Sequence, residues 1–275
     1  MSEKKLPERI AEARSYIESK TKVKPRVGLI LGTGLGDVSD AVKDAIKIPY
    51  SEVPGFASST AESHAGELLL GHMKDTPVVM MNGRVHFYEG YSMEQVTFPI
   101  RVMRALGVTH LVVSNAVGGM NPLFKPGDIM AVTDHINLMG DNPLIGPNYD
   151  ELGPRFPDMS EPYDTELLEL AEQVALEEKI PLKQGVFVAV AGPNLETRAE
   201  YRMLRAMGAD VVGMSLIPEN IVAVHGGMKV LALSVITDAC FPDALEPVDI
   251  KKILAVAAGA EPSVKKLLTR ILERL

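Results

Sequence analysis

Three side chains able to handle an oxyanion and a sugar stand two residues apart in the segment Asn82-Gly83-Arg84-Val85-His86-Phe87-Tyr88-Glu89-Gly90-Tyr91. In an extended segment, residues i, i+2 and i+4 leave the same face at roughly 6–7 Å intervals. That face would carry a guanidinium, an imidazole and a phenol, with Val85 and Phe87 turned toward a core. The planar fork of arginine matches phosphate oxygens. Histidine can donate to phosphate or to a sugar hydroxyl. Tyr88 can pack its ring on a sugar while its hydroxyl finds a partner. A solvated strand face would show the same alternation. The bracketing Gly83 and Gly90, and the apolar run Pro77 to Met81 before them, favour a built site.

A second candidate lies upstream. Gly32-Thr33-Gly34-Leu35-Gly36-Asp37 follows the apolar run Val27-Gly28-Leu29-Ile30-Leu31 and precedes a helical pattern. Glycine lets backbone N–H groups approach an anion closely, and Thr33 adds a hydroxyl donor. A plain tight turn is the simpler reading. A dinucleotide fingerprint is not, because its third glycine would come one residue later. His64, in Ser63-His64-Ala65-Gly66, acquires a role only if its loop folds over the anion.

The elements that would position these groups alternate. An amphipathic helix is expected over Pro7–Lys20, with Ile10, Ala13 and Ile17 on one stripe. Apolar runs at 27–31, 76–81, 110–113, 129–133, 185–191, 211–214 and 230–236 read as buried strands. Helical patterns cover 98–106, 165–178, 198–207 and 250–275. The order implies a single α/β domain over residues 1–275, with a mixed central sheet flanked by helices. Met139 to Pro162 is a long Gly-, Pro-, Asn- and Asp-rich loop, a kind that often serves function.

Composition bounds the function. Of 275 residues 46% are hydrophobic, enough for a large core, and the net charge of −8 argues against nucleic-acid binding. A local donor cluster can still hold a small anion, since distant charges are screened. The lone Cys240 rules out an intrachain disulfide or a multi-cysteine metal site, and points to a reducing compartment. The charged N-terminus lacks a signal-peptide core, and no apolar run is long enough for a membrane helix. A cytoplasmic protein is expected.

Read in order, the runs LGTGLG (31–36), SHAG (63–66), GRVHFYEGY (83–91), SNAVGG (114–119), GDIM (127–130), DHIN (134–137), NPLIGPN (142–148), RFPDMS (155–160), GPNLET (192–197), VGMSLIPE (212–219) and SVITDA (234–239) resemble the trimeric, low-molecular-mass purine nucleoside phosphorylases. The resemblance implies phosphate-dependent cleavage of purine nucleosides by a homotrimer, with phosphate as co-substrate and neither cofactor nor metal. It implies a phosphate site from Thr33 (where serine is usual), His64, Arg84, His86, the Ala116 backbone and Ser215. Ribose would meet His86, Tyr88, Met214 and Ile250, with Phe156 reaching into a neighbouring subunit's site. The base would lie against Leu195, Val212 and Gly213, with Glu196, Thr237 and Asp238 reading its edge. Asn115 and Ala116 would sit in a turn between strand and base. His86, Glu196 and Asp238 are the implied catalytic residues.

Besides Thr33, three positions depart from the family pattern. Aspartate replaces asparagine at 238, which suits a 6-amino group and is shared with the related methylthioadenosine phosphorylases. Ile250 stands where the 6-oxopurine enzymes carry a histidine for the ribose 5′-hydroxyl. Leu195 replaces an aromatic. Against a shift toward adenine stands Glu196, whose carboxylate suits the N1–H of hypoxanthine or guanine. Its simpler reading is a helix-start carboxylate favoured by the dipole. The expectation is a purine nucleoside phosphorylase whose range extends to 6-aminopurines. The alternatives are a methylthioadenosine phosphorylase or a non-catalytic nucleotide-binding α/β protein.

Overall fold

A computed structural model of the chain describes residues 4–32, 35–58 and 65–275. Thr33 and His64, both expected at a phosphate, lie outside the described residues.

The helices are α1 (Leu6–Lys20), α2 (Met93–Ala105), α3 (Thr165–Glu177), α4 (Arg198–Ala206), α5 (Ile217–His225) and α6 (Ile250–Leu272). The strands are β1 (Val27–Ile30), β2 (Lys43–Pro49), β3 (Glu67–Met73), β4 (Thr76–Asn82), β5 (His110–Gly119), β6 (Ile129–Leu138), β7 (Leu182–Val190), β8 (Val211–Gly213) and β9 (Lys229–Ala239). They form one sheet in the order β2-β3-β4-β1-β5-β8-β7-β6-β9, and a further β5–β9 pairing closes the last five into a ring. The sheet is mixed, as expected. β1 runs parallel to β4 and β5, while β3 is antiparallel to β2 and β4.

Alternate residues of the central strands face two separate apolar clusters. Ile30, Val79 and Met81 pack with Ile10, Ile17, Phe98 and Ile221, which brings α1, α2 and α5 to one face. Leu29, Val78 and Met80 pack with Val174, Val264, Leu267 and Ile271, which brings α3 and α6 to the other. Covered on both faces, β1 is buried throughout, and so its sequence shows no alternation. No helix among the described residues is long and apolar enough to cross a membrane.

One feature of the topology creates the site. β9 pairs β5 along its whole length on one edge. On the other edge, His110–Val113 pair β1, whereas Gly118 and Gly119 pair β8. The sheet therefore forks, and among the described residues Ser114 to Val117 have no strand neighbour on that edge.

Candidate active site

A cleft of about 200 Å³ opens at this fork, lined along β5 by Asn115, Ala116, Val117 and Gly118. Asn115 and Ala116 thus belong to a strand rather than to the expected turn. At the mouth, Gly32 crosses so close to β5 that a Cβ would fall 2.6 Å from the Asn115 Cα; only glycine fits.

Arg84 anchors one end. It is buried, with Nη1 2.7 Å from Oε2 of Glu219. Its Nη2 donates to the Ser114 carbonyl. The Ser114 carbonyl therefore points into the fork. Backbone groups of alternate strand residues share an edge, so Ala116 turns its N–H toward the same gap. Glu219 is a carboxylate in the first turn of the largely buried α5, and sequence reasoning passed over it. Its signal was available: a charge inside a buried helix needs a partner. Ser215 precedes this helix through a turn centred on Leu216, at φ 69° and ψ −57°, closed by Ile217 N donating to Ser215 O at 2.8 Å. This is a γ-turn of the strained hand. It presents Ser215 at a helix N-terminus, where partial positive charge favours an anion.

Arg84 to His86 do not form the expected extended strand; they are a loop that runs into a 3₁₀ turn, Phe87–Glu89. The side chains converge nonetheless. His86 and Tyr88 stack with ring centroids 4.8 Å apart and an interplanar angle of 13°. Glu89 accepts from the His86 N–H at 2.7 Å and faces His86 Nδ1 at 3.1 Å. A carboxylate partner places the ring proton on Nδ1 and fixes the imidazole's orientation. Burial pushes the Tyr88 phenol above its ordinary range, with Glu89 adding to the rise, so it stays protonated.

Glu196 and Asp238 stand at the other end. The helix-start role imagined for Glu196 belongs to its neighbours. Thr197 caps α4, and Thr197 N donates to Glu200 Oε2 at 2.7 Å while Glu200 N donates to Thr197 Oγ1 at 3.2 Å. Glu196 precedes that box and faces the cleft. Burial raises its carboxyl above the ordinary range, and the nearby Asp238 adds to the rise. The Asp238 carboxylate is held at both oxygens, by Thr237 Oγ1 at 2.9 Å and Cys240 Sγ at 3.1 Å.

Arg84, His86, Tyr88, Ala116, Leu195, Glu196, Val212, Gly213, Met214, Ser215, Thr237 and Asp238 all line this one cleft. Ile250 does not; it is 58% exposed, and Ile253, one turn along α6, lines the cleft instead. Phe156 is 86% exposed on the loop between β6 and α3. Arg155 clamps that loop by donating to the carbonyls of Leu144 (3.1 Å) and Gly146 (2.8 Å), which leaves Phe156 projecting outward. Tyr201 and Cys240 line the cleft without having been anticipated. Asn115 was expected near the base without a role, yet its buried amide has no hydrogen-bond partner at either end among the described residues. A polar group in that condition costs about 1–3 kcal/mol, which a bound group would recover.

The sequence profile of the phosphorylase superfamily matches residues 26–273. Purine nucleoside phosphorylase 1 of Bacillus subtilis is 49% identical over 97% of this chain and 98% of its own length. The mouse purine nucleoside phosphorylase is 44% identical over 94% and 92%. This chain belongs to the purine nucleoside phosphorylase family. Among solved members of the family, a Schistosoma purine nucleoside phosphorylase with hypoxanthine superposes with a TM-score of 0.92 at 43% identity, covering 98% of this chain and 97% of that one. The Schistosoma mansoni enzyme with adenosine gives 0.93 at 43% identity, over 98% and 97%.

Proposed function

We propose that the protein catalyses the reversible, phosphate-dependent cleavage of purine ribo- and deoxyribonucleosides to free base and (deoxy)ribose 1-phosphate. It acts as a cytosolic homotrimer, with inorganic phosphate as co-substrate and no cofactor. The observation that carries the reading is the two-ended cleft. A guanidinium, an imidazole and a helix N-terminus gather at one end, and two carboxylates at the other.

In this reading phosphate sits against Arg84, His86, Ser215 and the Ala116 N–H, with Thr33 and His64 completing its shell. Ribose packs on Tyr88 and Met214, with Ile253 rather than Ile250 toward its 5′ end. The purine lies on Leu195, Val212 and Gly213. Phosphate oxygen attacks C1′ as the C1′–N9 bond breaks, and that bond's electron pair leaves with the purine. Positioning removes the entropic cost of bringing two substrates together, and the phosphate charge favours the cationic sugar of the transition state. Glu196 and Asp238 read the base edge, and Asp238 serves N7 through a shared proton. A methylthioadenosine preference is less well supported, since Glu196 shares the cleft with Asp238. The acceptor at Asp238 instead favours a range widened to 6-aminopurines.

Two outcomes are expected. Inosine, guanosine and adenosine, each followed by absorbance, should release free base only when phosphate is present. Strict rejection of adenosine would remove the widened range and leave the phosphorylase. Phe156 is proposed to complete the neighbouring subunit's ribose site. Replacing it with alanine should leave the trimer intact by sedimentation but lower kcat/KM for inosine about tenfold or more, as expected for losing a buried aromatic contact. A fully active monomer would contradict this.

A further inference from the structure

Beyond the residues so far given roles, Cys240 touches one of the two carboxylates that read the base. Cys240 is wholly buried. Its backbone N–H donates to the Gly119 carbonyl at 2.8 Å, and its sulfur lies so near β5 that a Cβ on Gly118 would fall 2.6 Å from it. The thiol therefore has one position, 3.1 Å from Asp238 Oδ2. Burial and the Asp238 charge both favour the protonated thiol, so it acts as donor. Thr237 cannot replace it. The single Thr237 hydroxyl proton has two claimants, Asp238 Oδ1 at 2.9 Å and the Val117 carbonyl at 3.1 Å.

We propose that the Cys240 thiol, by holding Asp238 Oδ2, makes the cleft accept 6-aminopurines as well as 6-oxopurines. The inference rests on the phosphorylase reading above and assigns the base specificity of that same site. With a 6-oxopurine, ionised Glu196 accepts from N1–H. With a 6-aminopurine, Glu196 keeps its own proton and donates it to N1. Held by the Cys240 S–H, Asp238 keeps an oxygen aimed at the 6-amino group. Cys240 is a positioning residue, since it acts through Asp238.

The test compares Cys240→Val, which removes the donor at similar volume, with Cys240→Ser, which retains one. Dissociation constants of adenine and hypoxanthine are measured by calorimetry in phosphate buffer for parent and both variants, with thermal melts to check folding. Loss of a hydrogen bond to a charged group should raise the adenine-to-hypoxanthine ratio about tenfold in Cys240→Val. Cys240→Ser should return it toward the parent value. An unchanged ratio in Cys240→Val, a Cys240→Ser protein as impaired as Cys240→Val, or a parent that does not bind adenine would each overturn this role of Cys240. Inosine phosphorolysis by the parent is the separate control. Its absence would overturn the phosphorylase reading itself, and the role of Cys240 with it.

Discussion

Replacing Arg84 with methionine is expected to lower kcat/KM for phosphate about a thousandfold, the scale on which preorganised donors act. The same change should cost about 3–5 kcal/mol of stability, because it strands Glu219 as an uncompensated buried charge. These two losses have different causes and can be separated. In the double variant Arg84→Met, Glu219→Leu, no buried charge is left alone. Stability by denaturant unfolding should largely return, while phosphate turnover should not. Contacting residues couple in this way when one interaction dominates both. Near-normal phosphate kinetics in Arg84→Met would remove Arg84 from the phosphate site. A double variant no more stable than the single would mean that the ion pair is not what Glu219 is for.

The second large effect concerns pH and base choice. The Glu196 carboxyl titrates above the ordinary carboxylate range, chiefly because burial disfavours its charge. Below that midpoint the carboxyl is protonated and can donate to the bare N1 of adenine. Above it, the carboxylate accepts from the N1–H of a 6-oxopurine but meets adenine as acceptor against acceptor, at about 1–3 kcal/mol. The ratio of kcat/KM for adenosine to that for inosine should therefore fall with rising pH, by roughly tenfold or more across the titration. Glu196→Gln presents either an N–H or a carbonyl to N1 without titrating, so it should flatten the dependence. A ratio in the parent protein that stays constant through this range would reject Glu196 as the titrating reader.

Much of the architecture was legible because strand interiors are apolar, but strand ends were not. β5 continues to Gly119 although SNAVGG reads as a turn. Its glycines are there because β9 packs against them: a Cβ on Gly119 would fall 2.8 Å from Ile236 Cγ2. α2 begins at Met93, five residues before the periodic pattern. The cue was Ser92, whose hydroxyl accepts from Gln95 N at 3.2 Å in a capping box that the sequence displays. α5 escaped notice because a helix buried on nearly every side has no polar face, and so no period to read. β2 escaped for the opposite reason, being a mostly exposed strand at the end of the sheet.

The site was legible where chemistry-bearing residues cluster in sequence, as in Arg84, His86 and Tyr88. Their convergence survived although the backbone between them is a loop and a 3₁₀ turn rather than a strand. It was illegible where a role depends on a distant partner. Glu219 matters through Arg84, 135 positions away. Cys240 matters through an adjacent carboxylate whose orientation only the fold reveals.

The most direct measurement is phosphorus NMR of the protein mixed with inosine and inorganic phosphate, with free base followed in parallel. A ribose 1-phosphate signal growing in step with hypoxanthine, and neither appearing when phosphate is omitted, is the predicted result. Hypoxanthine released without phosphate, or inosine that raises the melting temperature but is never cleaved, would contradict the account.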